Sequence, residues 1–225
     1  MSAGSVFTLL VAAIFTCGST PTTAQKNTGP SVLGIVEIPT LFGVSNVDPP
    51  TRTPPAGSVS IYRDTGGSIP LARIAAPADI EALEYDYEAS GAVVYELARN
   101  AYRVRLSDGR YGWLRTSDAG SFHSLMSLYA ESLTYLTGEW DGRVFETPPT
   151  SDTSSSRPGR FRRNDDETPV DVVEGKEEQA GRLWVRIEVL SSVCSAEEPR
   201  VLDRGWVPAH DAKGQLNVWF WSRGC

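Results

Sequence analysis

The sequence predicts a mainly β protein made of two similar units joined by one short helix. Three observations carry that expectation. A phrase occurs twice: Gly112-Trp113-Leu114-Arg115-Thr116-Ser117-Asp118-Ala119-Gly120, and Gly205-Trp206-Val207-Pro208-Ala209-His210-Asp211-Ala212-Lys213-Gly214. Both copies run Gly-Trp-aliphatic, three further residues, then Asp-Ala and a glycine, and an internal repeat of this kind marks duplicated structural units. An alternating apolar strand precedes each copy, at Tyr102–Leu106 and Leu183–Ile187. Twenty glycines and 15 prolines in 225 residues suit a loop-rich β protein.

Composition narrows the class further. Hydrophobic residues make up 40 % of the chain and charged residues 22 %, which is globular rather than disordered. The formal charge of -7 argues against a nucleic-acid partner, because phosphate binding needs a concentrated basic face.

The N-terminus reads as a signal peptide over 1–24, with the apolar run Val6–Phe15 followed by polar Thr20–Gln25. That run is too short to cross a bilayer, which takes about 20 apolar residues, so no transmembrane segment is expected. No Lys or Arg precedes it. Either the free amine supplies the positive charge or the true start lies upstream. Lipoprotein processing at Cys17 is the rival, although Ile14-Phe15-Thr16 lacks a small residue before the cysteine. Both routes take the mature protein out of the cytoplasm, to the periplasm or beyond. Once Cys17 is removed or lipidated, Cys194 and Cys225 remain. An even pair in an oxidising compartment suggests a disulfide, the alternative being two free thiols.

Taken in order, residues 25–33 form a polar tether and 34–120 the first unit. Val32–Ile38 reads as its first strand, and the proline-rich stretch Asn46–Gly57 as a loop. Val59–Tyr62 alternates as a strand and Asp64-Thr65-Gly66-Gly67 turns it. Ile80–Tyr87 and Ala92–Leu97 suggest a hairpin. Ala101–Leu106 and Tyr111–Arg115 form a clearer one, joined through Asp108-Gly109.

Residues 121–141 are expected to hold the connecting helix and a turn. Phe122, Leu125, Met126, Tyr129, Leu133 and Leu136 follow helical spacing, with Ser121 as N-cap and Gly138 as stop. The competing reading is two short strands split at Ala130-Glu131-Ser132. The second unit, 142–225, opens with Arg143-Val144-Phe145, which matches Ile61-Tyr62 in position. Residues 148–168 are expected to be a mobile polar insert carrying Arg157, Arg160, Arg162 and Arg163. Strands at Val170–Val173, Arg182–Leu190, Arg204–Pro208 and Leu216–Trp221 complete the chain.

Strand, turn and then Gly-Trp-aliphatic as a closing strand resembles the bacterial Src-homology-3-like (SH3b) barrel family. Gly112-Trp113-Leu114 and Gly205-Trp206-Val207 carry the resemblance, with Ile61-Tyr62 and Val144-Phe145 as the opening strands, over roughly residues 58–120 and 142–222. It implies two tandem small SH3-like β-barrels. Gly112 and Gly205 then sit where two strands approach closely, and Trp113 and Trp206 cover a barrel end, so all four are structural.

The resemblance also implies binding of cell-wall peptide or other envelope ligands without catalysis. Five aromatic residues are candidates for that contact. Tyr85 and Tyr87 share a face of a strand whose other face carries Glu84, Asp86 and Glu88; Trp140 sits in a turn; Trp219 and Trp221 share a face of the last strand. Aromatic side chains beside carboxylates suit stacking on sugars or gripping peptide, the competing reading being that they build the two cores.

An enzyme is not expected. Only His123 and His210 are available as histidine bases, neither set beside a nucleophile by any motif, and the acids show no spacing that singles out a hydrolytic pair. No phosphate-cradling loop, dinucleotide fingerprint or metal-ligand cluster occurs, so no cofactor or metal is expected. The expected partner is cell-wall material (peptidoglycan peptide or glycan) or an envelope protein. A structural or assembly role without a small ligand is the alternative, and a cell-wall hydrolase comes behind both.

Overall fold

The computed structural model describes residues 30–43, 57–87, 89–130, 133–148, 155–161, 168–177, 183–193 and 198–221. Two antiparallel sheets organise them, and both follow one plan. The first holds β1 (Gly34–Val36), β2 (Val59–Tyr62), β3 (Pro70–Ile74), β4 (Ala82–Asp86), β5 (Ala89–Ala98), β6 (Ala101–Arg105), β7 (Tyr111–Arg115) and β8 (Phe122–Ser124). Its order is β3-β2-β7-β6-β5-β1-β8, with β4 added on β5. The second holds β9 (Thr134–Leu136), β10 (Arg143–Phe145), β11 (Ser156–Pro158), β12 (Thr168–Glu177), β13 (Leu183–Leu190), β14 (Val201–Pro208) and β15 (Val218–Phe220). Its order is β11-β10-β14-β13-β12-β9-β15. Strand for strand the two orders coincide, and only β4 lacks a counterpart. Neither sheet closes on itself among the described residues, so the chain forms two open sheets rather than closed barrels.

The duplication extends to register. Tyr62 pairs with Trp113 and, in the second unit, Phe145 pairs with Trp206. Val104 opposes Gly112 as Ile187 opposes Gly205. Each sheet carries one extra residue at the same place, Tyr95 between Val94 and Glu96, and Val173 between Val172 and Glu174. Even a cross-strand ion pair recurs, Arg103–Glu96 at 2.9 Å and Arg186–Glu174 at 3.8 Å. Exposed pairs of this kind contribute little stability; their value here is as a marker of common register.

Gly112 and Gly205 explain why the phrase begins as it does. A methyl group on Gly112 would stand 2.3 Å from Cγ2 of Ile61 and 2.8 Å from Cδ2 of Leu71. On Gly205 it would stand 2.2 Å from Cγ1 of Val144 and 2.8 Å from the Phe145 carbonyl oxygen. The opening strand of each unit therefore lies directly on the glycine, where a side chain would push it away. The tryptophan that follows is half-buried in the first copy and buried in the second.

Three expectations are corrected. Besides the single turn α1 (Pro39–Phe42), the helix expected over Phe122–Leu136 shrinks to α2 (Leu125–Ala130). Phe122–Ser124 pairs with β1 and Thr134–Leu136 with β12 and β15, so sheet hydrogen bonding overrides helical spacing at both ends. The tether expected over 25–33 ends before Val32, which is buried, and the Leu33 N–H donates to the Val94 carbonyl at 2.7 Å. Within the insert expected to be mobile over 148–168, Ser156–Pro158 is strand β11, paired with β10. Arg157 donates to both carboxylate oxygens of Asp203 at 2.8 and 2.7 Å, and the Arg160 N–H donates to the same carboxylate at 2.7 Å. A buried acid thus fixes this part of the insert. Cys17, Cys194 and Cys225, and the signal peptide, lie outside the described residues.

Two apolar cores result. One belongs to the first unit, around Val36, Ile38, Ile61, Val94, Val104 and Leu114. The other is shared. Val32, Ile35, Tyr85 and Val93 of the first unit pack with Leu125, Leu128 and Tyr129 of α2 and with Leu136, Val170, Ile187, Val207 and Phe220 of the second. Each such side chain contributes roughly 1.5–3 kcal/mol on burial, so the units are joined by a core rather than by a linker.

Gly112→Ala and Gly205→Ala are each expected to destabilise the protein by about 1–3 kcal/mol through overpacking. Gly138→Ala, with nothing within 4 Å of the added carbon, is expected to stay within about 0.5 kcal/mol of wild type. Urea unfolding of the three variants checks this; equal stability of all three would contradict the seam.

Candidate ligand cleft

Where the sheets meet, the first unit supplies one wall of a cleft and the second unit the other. Glu81, Leu83, Val93, Tyr95, Arg105 and Tyr111 line the first wall. Tyr135, Thr137, Glu139, the turn Lys213–Leu216 and Trp219 line the second, with Pro30 and Val32 between them. Its volume is about 290 Å³, near the lower end for small-molecule sites. That is room for a short piece of a polymer.

The first wall is built by hairpin register. Arg105 lies opposite Tyr111 across the β6–β7 pair, and both face the cleft. The extra residue in β5 lets Tyr95 and Glu96 both reach that face, as β-bulges do. Tyr95 meets Tyr111 edge-on at 5.2 Å, while Glu96 takes Arg103. Arg105 stands over the Tyr111 ring at 5.8 Å and 3.8 Å from Glu81. The Tyr95 hydroxyl donates to Glu81 Oε2 at 2.8 Å. Burial, and then the Glu81 carboxylate, push that hydroxyl well above the ordinary tyrosine range, so it stays a neutral donor. Glu81 is held through its backbone too: its N–H donates to the Arg105 carbonyl at 2.9 Å and its carbonyl accepts from Val93 at 3.0 Å.

The second wall is a row of aromatic residues and a fixed turn. Tyr135 lies opposite Trp219 across the β9–β15 pair, and the Trp221 ring lies tilted against Tyr135, centroids 4.7 Å and planes 34° apart. In the turn, Asp211 Oδ1 accepts from the Lys213 N–H at 2.7 Å and the Gln215 N–H at 2.8 Å. Thr137 donates its hydroxyl to the Leu216 carbonyl at 2.6 Å. Lys213 and Glu139 are exposed on this wall, and neither side chain has an ion-pair or hydrogen-bond partner among the described residues.

The candidate aromatic residues separate on this geometry. Trp219 lines the cleft and Trp221 backs it through Tyr135. Trp140 is 2 % exposed, donates its Nε1–H to the Arg143 carbonyl and stacks on Phe161; it is core and presents no face to a ligand. Tyr85 and Tyr87 do not share a face. A register shift between Glu84 and Asp86 separates them, leaving Tyr85 in the shared core and Tyr87 64 % exposed on a turn away from the cleft. Tyr95, Tyr111 and Tyr135 were not among the sequence candidates. Arg105 facing Tyr111 across the Asp108-Gly109 turn was the available signal, since a charged and an aromatic residue opposed on a solvent face are more than a core requires.

A second polar cluster sits at the edge of the first sheet. Glu37 Oε1 accepts from the Tyr85 hydroxyl at 2.9 Å and lies 3.1 Å from His123 Nε2; Oε2 accepts from the Ser121 N–H at 3.2 Å. His123 stacks on Tyr85 at 4.7 Å. Burial pushes the Glu37 carboxyl up, but the hydrogen bonds from His123, Tyr85 and Ser121 outweigh it and hold it below the usual carboxylate value. Glu37 and His123 occupy the register positions that Tyr135 and Trp221 fill in the second unit. Thus one copy carries a carboxylate in contact with an imidazole where the other carries an aromatic pair.

Among the described residues no His, Cys, Asp and Glu side chains group as metal ligands, and no helix is long and apolar enough to cross a membrane. Comparison with known protein families, curated proteins and solved structures gives no match.

The lowered Glu37 sets a pH dependence. A carboxyl with a depressed folded-state value contributes stability above its unfolded value, and that contribution disappears as pH falls through the folded one. Unfolding midpoints of wild type are expected to drop between about pH 5 and about pH 3, and Glu37→Gln to flatten part of that drop. Superimposable slopes for the two proteins over that window would show that Glu37 contributes nothing.

Proposed function

We propose that this protein is a secreted, non-catalytic SH3-like binding protein of the bacterial cell envelope, and that the cleft between its two units holds cell-wall peptide or glycan. The single observation carrying the reading is the cleft's makeup: four aromatic side chains, Tyr95, Tyr111, Tyr135 and Trp219, interleaved with Glu81, Arg105, Glu139 and Lys213. Aromatic faces grip the apolar side of a sugar ring or peptide while neighbouring charges orient it. The SH3-like assignment is supported by the doubled Gly-Trp strand, by its pairing with Ile61-Tyr62 and Val144-Phe145, and by the common strand order. Export is supported by the apolar N-terminal run and by the even pair Cys194 and Cys225 left once Cys17 is removed or lipidated. With a net charge of -7 and a cleft carrying two acids and two bases, a neutral or zwitterionic polymer fits better than a polyanion.

Purified mature protein is expected to sediment with isolated peptidoglycan at low salt. Trp219→Ala and Tyr111→Ala, each removing an aromatic face, are expected to weaken retention about tenfold, on the scale of one lost stacking contact. Tyr87→Ala, away from the cleft, is expected to leave it unchanged. Failure of the wild-type protein to sediment sinks the reading, as does equal retention of all four proteins.

A further inference from the structure

We propose that the cleft recognises a short peptide whose terminal carboxylate and amine are both free, and that it takes its charged contacts from both units of the fold. This rests on the cleft being the ligand site. The argument is a charge account of its walls. Glu81 is committed: Tyr95 donates to it and Arg105 faces it. Arg105 compensates that acid at 3.8 Å, too long for a tight fork–fork pair, and its guanidinium is exposed where it stands over Tyr111. Across the cleft, Lys213 and Glu139 present one charge of each sign with no partner among the described residues.

The Lys213 charge is also well placed. Its backbone is fixed by Asp211, whose Oδ1 is occupied by the N–H groups of Lys213 and Gln215. The lysine is therefore carried on an ordered turn, which lowers the entropy lost on binding. Lys213 of the second unit and Arg105 of the first, both lining the cleft, are the contacts for a carboxylate. An amine fits Glu139. A ligand bearing both charges offers Lys213 and Glu139 each a counter-charge, which an uncharged sugar does not, and a polyanion is opposed by Glu81 and Glu139. The volume of about 290 Å³ admits one or two small residues between those charges.

The test uses the whole mature protein and the dipeptide alanylalanine in four forms: free, N-acetylated, C-amidated and blocked at both ends. The readout is the Trp219 indole resonance in an NMR titration. The free dipeptide is expected to shift that resonance, and blocking either end to weaken binding by about tenfold, the scale of one charge-assisted hydrogen bond. Lys213→Met is expected to erase the preference for the free over the amidated form while keeping the preference over the acetylated one. Glu139→Gln is expected to do the reverse. Both side chains are exposed, so neither variant threatens folding. The inference is overturned if all four forms bind alike, if none shifts the resonance, or if the two variants weaken every form equally. Retention on peptidoglycan with no end-group preference overturns this inference alone. The end-group pattern without retention on peptidoglycan overturns the cell-wall reading instead.

Discussion

Everything in this fold leans on the core that the two units share. Ile35 and Val93 of the first sheet are covered by Leu125, Leu128 and Tyr129 of a six-residue helix and by side chains of the second sheet. Tyr129 ties the junction further, its buried hydroxyl donating to the Val218 carbonyl at 2.9 Å. A junction built this way fixes the angle between the sheets, and so the cleft has walls of constant spacing. Two units on a free linker would give aromatic faces but no site.

Duplication with divergence describes the rest. The elements that hold the chain together are the same in both copies: the strand order, the glycine under the opening strand, the bulge in the long strand. The elements that face solvent differ. Tyr95 lies at the bulge of the first copy where Val173 lies in the second. Glu37 with His123 corresponds to Tyr135 with Trp221. Of these positions Tyr95 and Tyr135 line the cleft, so the divergence of the copies gives its two walls different side chains.

How much of this was legible in the sequence divides along the same line. The doubled phrase and its alternating strands were readable because backbone approach and burial impose local patterns. The ends of the helix were not. Phe122 and Leu136 fit helical spacing, yet β1 and β12 supply hydrogen-bond partners that no local pattern encodes. The order around Arg157 escapes the sequence for a related reason: its partner Asp203 is distant in the chain, and a buried acid is invisible until the fold brings an arginine to it. The cleft itself draws on both units, so its residues were individually ordinary. Trp219 reads as an aromatic beyond what a small core needs, whereas Tyr95 and Tyr111 read as ordinary strand residues.

The shared core also sets an order of events at synthesis. The first sheet is not complete until β8 returns to pair with β1, near the far end of the first unit, and its apolar Ile35 and Val93 have no cover until α2 and the second sheet follow. A chain growing from its N-terminus therefore carries an unsealed half through most of its production. Pairings between segments so remote form slowly, and an uncovered apolar face in the meantime invites association with other nascent chains. The half made first therefore cannot lock into its final state ahead of the half made last.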